Sequence, residues 1–174
     1  MKKEKLILVP LKGIYDTDGK AVVLFGMTAA ETEKALGKPS EKVEQESFGD
    51  NADDVMTTLY YDDLGLSLSY DKVCDFRLSD IMTDGADTIK CSYGISLGQT
   101  IDEVRNIVGK EDLGPMEESD IEDEIAEEES DEGLTAYDVE EQSLTLWFKN
   151  DRLDTIQMGP EYDETGENIV WPKK

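Results

Sequence analysis

Residues 26–39, GMTAAETEKALGKP, align without gaps to residues 98–111, GQTIDEVRNIVGKE, and this internal repeat constrains the fold more than any other feature of the chain. Gly26/Gly98, Thr28/Thr100, Glu31/Glu103, Gly37/Gly109 and Lys38/Lys110 coincide. Thr-x-x-Glu is a capping box: the hydroxyl accepts from the third helical amide while the carboxylate reaches back to the cap amide. Ala29, Thr32, Ala35 and Leu36 match Ile101, Val104, Ile107 and Val108, one stripe at helical spacing. Gly37 and Gly109 stand where a left-handed residue ends a helix, and Pro39 blocks continuation in the first copy. The pattern predicts two short helices.

After each helix the period changes to two. Leu64, Leu66, Leu68 and Tyr70 alternate with Gly65, Ser67 and Ser69, and Leu144, Leu146 and Phe148 alternate with Ser143, Thr145, Trp147 and Lys149. These read as half-buried antiparallel strands, about three per helix, with residues 149–151 as a hairpin turn. Apolar runs at 21–26 and 88–98 precede the helices, and Leu6–Val9 predicts a first strand. The fold class is therefore α+β: two tandem repeats, each a short capped helix packed on an antiparallel sheet whose other face stays open. The first repeat, with the N-terminal strand, takes residues 1–82. The second takes 83–174, with an acidic insertion at 117–132 and a C-terminal tail. At 174 residues the chain suits one domain, or two small units sharing a core.

Charge narrows the partners. The chain has 42 acidic and 17 basic residues, a net charge of −25, which repels nucleic-acid backbones and anionic membrane surfaces and attracts cationic proteins. The apolar run at the start is too short for a signal peptide, and no stretch approaches the roughly 20 apolar residues of a membrane span. These features predict a cytoplasmic protein, in which Cys74 and Cys91 are reduced thiols used for packing.

Gly94-x-Ser96-x-Gly98 has the spacing of a hydrolase nucleophile elbow. The chain contains no histidine, so the usual general base is missing, and Ser96 falls opposite Leu24 in the repeat. Ser96 therefore reads as a strand residue between two glycines, and the protein as a non-enzyme with no cofactor or metal. Asp16-Thr17-Asp18-Gly19 resembles the start of a calcium loop, but Met27 occupies the place of its glutamate. A β-turn with Gly19 left-handed is the better reading, and Gly85 and Gly166 precede similar apolar pairs and suggest the same turn.

The helix motif followed by a small sheet, used twice, resembles the outer-membrane-assembly lipoproteins of the SmpA/OmlA (BamE) type and the tandem-repeat β-lactamase-inhibitory-protein type, over about residues 20–80 and 88–158. The resemblance implies a binding module that presents an open sheet face to another protein. The lipid-bearing cysteine and secretion signal of the envelope members are absent here. The favoured expectation is a cytoplasmic immunity protein that occludes a cationic toxin, a basic nuclease being one such toxin. The alternative is a non-catalytic assembly or scaffold module.

Strand parity places Tyr70 and Phe148 in the core and Trp147 and Tyr60 on the open side. Trp147, Tyr60, Thr145 and Arg77 are the candidate partner-binding residues of that face. The run 117–132 holds 11 acidic residues among 16, and reads either as a solvated loop or as a steering element for a cationic partner. Glu122, Asp123, Glu124, Glu127 and Glu128 are its candidate contacts.

Overall fold

Both helices start where the capping boxes place them. In the computed structural model, which describes residues 5–47, 50–85, 89–109, 114–115 and 133–173, the elements run β1 (Leu6–Val9), β2 (Gly13–Tyr15), β3 (Ala21–Leu24), α1 (Ala29–Leu36), β4 (Glu41–Ser47), β5 (Val55–Tyr61), β6 (Leu66–Asp71) and β7 (Arg77–Thr83). They continue with β8 (Ile89–Cys91), α2 (Ile101–Val108), β9 (Gly114–Pro115), β10 (Leu134–Val139), β11 (Leu144–Lys149), β12 (Arg152–Met158), β13 (Glu161–Tyr162) and β14 (Ile169–Val170). The Thr28 amide donates to Glu31 Oε2 at 2.9 Å and the Glu31 amide to Thr28 Oγ1 at 3.3 Å. Thr100 and Glu103 repeat the exchange at 2.7 and 3.3 Å, and these hydrogen bonds hold the Glu103 carboxyl below its ordinary value.

The buried stripes are narrower than the spacing suggests. Thr32, Val104 and Val108 are buried, but Ala35 is exposed and Ile107 is 41% exposed. At 100° per residue these two positions lie roughly 90° from the centre of the stripe, on its rim. Gly37 and Gly109 do take positive φ (89° and 93°), but with ψ of −170° and 145° they end the helices in extended, near glycine-only backbone and not as left-handed caps.

Strands β4–β7 and β9–β12 join into one eight-stranded antiparallel sheet in the order β4-β5-β6-β7-β12-β11-β10-β9. Its two faces differ. The row Leu59–Leu68–Ile81–Met158–Leu144–Val139 runs across six strands and is wholly buried. The helices cover this face. Tyr70 donates to Thr32 Oγ1 on α1 at 2.7 Å, Tyr61 to the Gly37 carbonyl at 3.0 Å, and Arg105 of α2 lies 5.6 Å from the centre of the Tyr137 ring. Burial raises the Tyr61 phenol to about 12. Tyr70 and Phe148 are core residues, as parity requires.

Turn chemistry fixes the hairpins. Asn150 and Asp151, at φ 51° and 62°, make the primed turn between β11 and β12. Leu64 belongs to the β5–β6 turn, since β6 begins at Leu66. Gly19 and Gly166 have positive φ, and in each turn an aspartate three residues earlier, Asp16 or Asp163, accepts the glycine amide on its carbonyl. Gly85 does not share that conformation.

A second sheet, β3-β2-β1-β8, and the hairpin β13–β14 complete the architecture. Leu8, Ile14, Val23 and Phe25 of this region join the same buried cluster as the eight-stranded sheet. β8 pairs parallel with β1 and ends at Cys91, because the chain turns through Gly94 at φ 92°. Ser96 therefore lies in the connection after β8 and not in a strand. Cys91 is buried and Cys74 half-buried, both as free thiols, and burial raises both above the ordinary thiol value. Among the described residues no helix is long and apolar enough to cross a membrane.

Candidate functional site

The face opposite the helices is built on a second continuous row, Glu41–Tyr60–Ser67–Met82–Gln157–Thr145–Asp138–Gly114, which crosses all eight strands. The six central residues of this row are half-buried, whereas their neighbours one position along each strand form the apolar core row. Alternation along six strands thus produces a broad polar surface, as expected for a one-sided sheet.

Two depressions open on this face. The larger, about 760 Å³, is lined by Asp80, Asp138, Glu140, Glu141, Thr145 and Gln157, with Tyr93, Ser143, Leu144, Val139 and the glycines 114 and 159. The smaller, about 390 Å³, is lined by Tyr60, Asp62, Asp84, Ser67, Met82 and Thr155, with Gly65, Leu66 and Thr83. No described lysine or arginine lines either one. Three of the described cations are engaged elsewhere: Lys42 bridges Glu33 and Glu44, Lys72 pairs with Asp53 at 2.9 Å, and Arg152 donates to the Gly98 carbonyl at 2.8 Å.

Hydrogen bonds order the floor of the larger depression. Trp147 Nε1 donates to Gln157 Oε1 at 3.0 Å, and Gln157 Nε2 donates to Asp80 Oδ1 at 2.9 Å. Thr145 Oγ1 donates to Asp138 Oδ1 at 2.7 Å.

The sequence candidates separate under this geometry. Tyr60 and Thr145 stand in the same row, four interstrand spacings apart. Trp147 corrects the expectation of a solvent-facing anchor: it lies on the predicted side but is only 7% exposed. Parity decides which side a ring leaves the strand. A bulge at Trp147/Phe148 and the bond to Gln157 hold this ring down against the sheet. Arg77 lies at the start of β7, where its Nη1 donates to the Gly26 carbonyl at 3.0 Å and ties the sheet to the turn before α1. Glu122, Asp123, Glu124, Glu127 and Glu128 lie outside the described residues, as does the whole run 117–132.

Asp80, Asp138, Met82 and Gln157 were not candidates from the sequence. Their alternation with Ile81, Val139 and Met158 puts them on the polar face, but the convergence of Asp80, Asp138 and Gln157 on the larger depression depends on β7 pairing with β12, a contact between strands about 75 residues apart, while Met82 lines the smaller one. Ser96 is exposed, and its amide donates to Gln99 Oε1 at 2.8 Å. No protein-family model matches the chain, nor does any curated protein or solved structure.

Proposed function

We propose that this chain is a cytoplasmic inhibitor of the immunity type, which seats a cationic toxin domain on the open face of its eight-stranded sheet and blocks it without turnover. The observation that carries this reading is the pair of carboxylate-lined depressions, free of described basic residues, on a face that the helices leave uncovered. Complementary charge of this kind speeds encounter and selects partners.

The same proposal includes the finer architecture, two copies of one unit. Supporting it are matching hydrogen bonds. The Gly26 amide donates to the Leu78 carbonyl and the Leu78 amide to Met27, while Gly98, Leu153 and Gln99 repeat the pattern. Arg77 and Arg152 donate to the carbonyls of Gly26 and Gly98. The register agrees as well. Tyr60–Ser67–Met82 and Asp138–Thr145–Gln157 are corresponding rows, and Met82 pairs directly with Gln157.

The test is to express any toxin-like domain found in the neighbouring reading frame and to measure binding and protection with it. Stoichiometric binding by calorimetry, together with survival of cells that co-express the two, is the expected result. Survival unchanged by this chain, with no heat of binding, would overturn the inhibitor reading in favour of a scaffold module.

A further inference from the structure

The two junctions that lead into the helices match bond for bond. Gly26 and Gly98 have φ of 85° and 87°, each donates its amide to the facing strand, and each carbonyl accepts from an arginine, Arg77 or Arg152. Even a local return bond is repeated. The Leu24 amide donates to Met27 Sδ at 3.0 Å, and the Ser96 amide to Gln99 Oε1 at 2.8 Å.

What covers the two glycines differs. A Cβ built on Gly26 would lie 2.9, 3.0 and 3.3 Å from Cε3, Cδ2 and Cγ of Trp171, atoms that span both rings of the indole. The ring thus rests on a bare peptide face, and it also packs against the buried cluster. At Gly98 nothing among the described residues comes within 4 Å of the same position. The neighbours register the difference. Phe25 is 2% exposed, whereas its counterpart Leu97 is only half-buried and Gly98 itself is exposed. The chain has one other tryptophan, Trp147, and that ring is buried and bonded to Gln157.

We infer that the Gly98 junction receives a tryptophan side chain from an extended segment of a protein partner, as Trp171 leaving β14 covers Gly26. The filled junction of the same chain identifies the chemistry of the occupant at the open one. Tryptophan suits the role because it buries a large area on one rigid ring and is a common anchor of protein interfaces. A second copy of this chain is a poor donor, since giving up its Trp171 would uncover its own Gly26. The surface lies where α2 and β12 begin, apart from both depressions of the open face, and does not depend on the partner being a toxin.

The probe is a synthetic peptide of residues 167–174, which presents Trp171 in its own sequence context. Titrated into the ¹⁵N-labelled full-length chain, it should give saturable shift changes at the Gly98, Gln99 and Leu153 amides, with a dissociation constant of about 1 mM. Alanine in place of the peptide's tryptophan should weaken binding about tenfold or more. Gly98→Ala in the chain should do the same, because its Cβ would meet the ring as one at Gly26 would. In a Trp171→Ala chain the peptide should also shift Gly26, which shows that it can fill such a junction. A response at Gly26 of that variant with none at Gly98, or no response at either, overturns the inference. Shifts at Gly98 that survive loss of the peptide's tryptophan overturn it as well. Shifts at Gly98 that grow with protein concentration, without peptide, would assign the junction to a second copy and overturn the partner named here. An indifferent toxin domain counts against the inhibitor reading alone and leaves the peptide results as they are.

Discussion

Gly26 and Gly98 offer a matched pair of substitutions in which the structure predicts unequal costs for the same chemical change. Their backbones agree, at φ 85° and 87°, and each donates its amide to the facing strand, at Leu78 or Leu153. Alanine at either site must hold an unfavourable left-handed φ, a cost of roughly 1–2 kcal/mol. Replacing glycine also restricts the unfolded chain, which returns roughly 0.4–1 kcal/mol. Gly98→Ala should therefore cost about 1 kcal/mol, since nothing lies within 4 Å of its added Cβ. At Gly26 the added Cβ falls 2.9 Å from Cε3 of Trp171 and 3.0 Å from Cδ2, inside van der Waals contact with an indole. Displacing that ring adds a packing cost of roughly 1–3 kcal/mol.

Urea unfolding measures the difference. With a slope of roughly 1–3 kcal/mol per molar for a small protein, the Gly26→Ala midpoint should fall about 1 M further than that of Gly98→Ala. Placing Gly26→Ala in a Trp171→Ala background should bring its cost back to about 1 kcal/mol, a non-additivity expected of touching residues. Equal costs for the two alanines in the unsubstituted chain would refute the packing of Trp171 over Gly26, and with it the clasp by which the C-terminal tail returns to the first helix junction.

Three further outcomes follow from the same contacts. Tyr70→Phe removes the buried bond to Thr32 and should cost roughly 1–3 kcal/mol in thermal or urea unfolding, whereas adding Thr32→Val, so that neither polar partner remains, should recover most of it. Trp147→Ala should lower stability by roughly 3–5 kcal/mol, because the ring is buried; an unchanged unfolding midpoint would restore it to the exposed face. Asp163 accepts bonds from Thr165 and Asn168, which hold its carboxyl down at about 2, so its contribution is present above the ordinary 3.8 and lost as pH falls through 2. Carbon-detected NMR titration should find that value, and Asn168→Ala should move it upward.

The sequence carried local structure well and tertiary convergence poorly, for identifiable reasons. A capping box or an Asn-Asp turn involves residues within a few positions of each other, so helix starts and the β11–β12 hairpin could be read from spacing alone. Face assignment along single strands also held, for Leu146 and Phe148 on one side and Tyr60 and Thr145 on the other. Exposure did not follow from face. The burial of Trp147 depends on a bulge and on Gln157 in the neighbouring strand, neither of which leaves a mark in the residues around it. The second sheet was missed because β8 is three residues long and pairs in parallel with β1, about 80 residues away. Short strands in distant pairings leave almost no periodicity to detect.

The pairing of β7 with β12 links these levels. Without it, each would be an edge strand with a row of unpaired backbone groups, a template for unwanted association. Antiparallel pairing through Met82 and Gln157 removes both edges and leaves β4 and β9 at the ends of the sheet. β4 is suited to that position: Glu41, Lys42, Glu44 and Glu46 are exposed, and an irregularity at Gln45, with φ 49°, interrupts its regular pairing with β5. Charge and a bulge both oppose further strand addition. The joining that satisfies two edges also brings Asp80 and Gln157 within bonding distance at the larger depression, with Asp138 three strands away. The groove is therefore a consequence of how the sheet closes its central seam, and substitutions that break the seam should abolish the groove and the fold together.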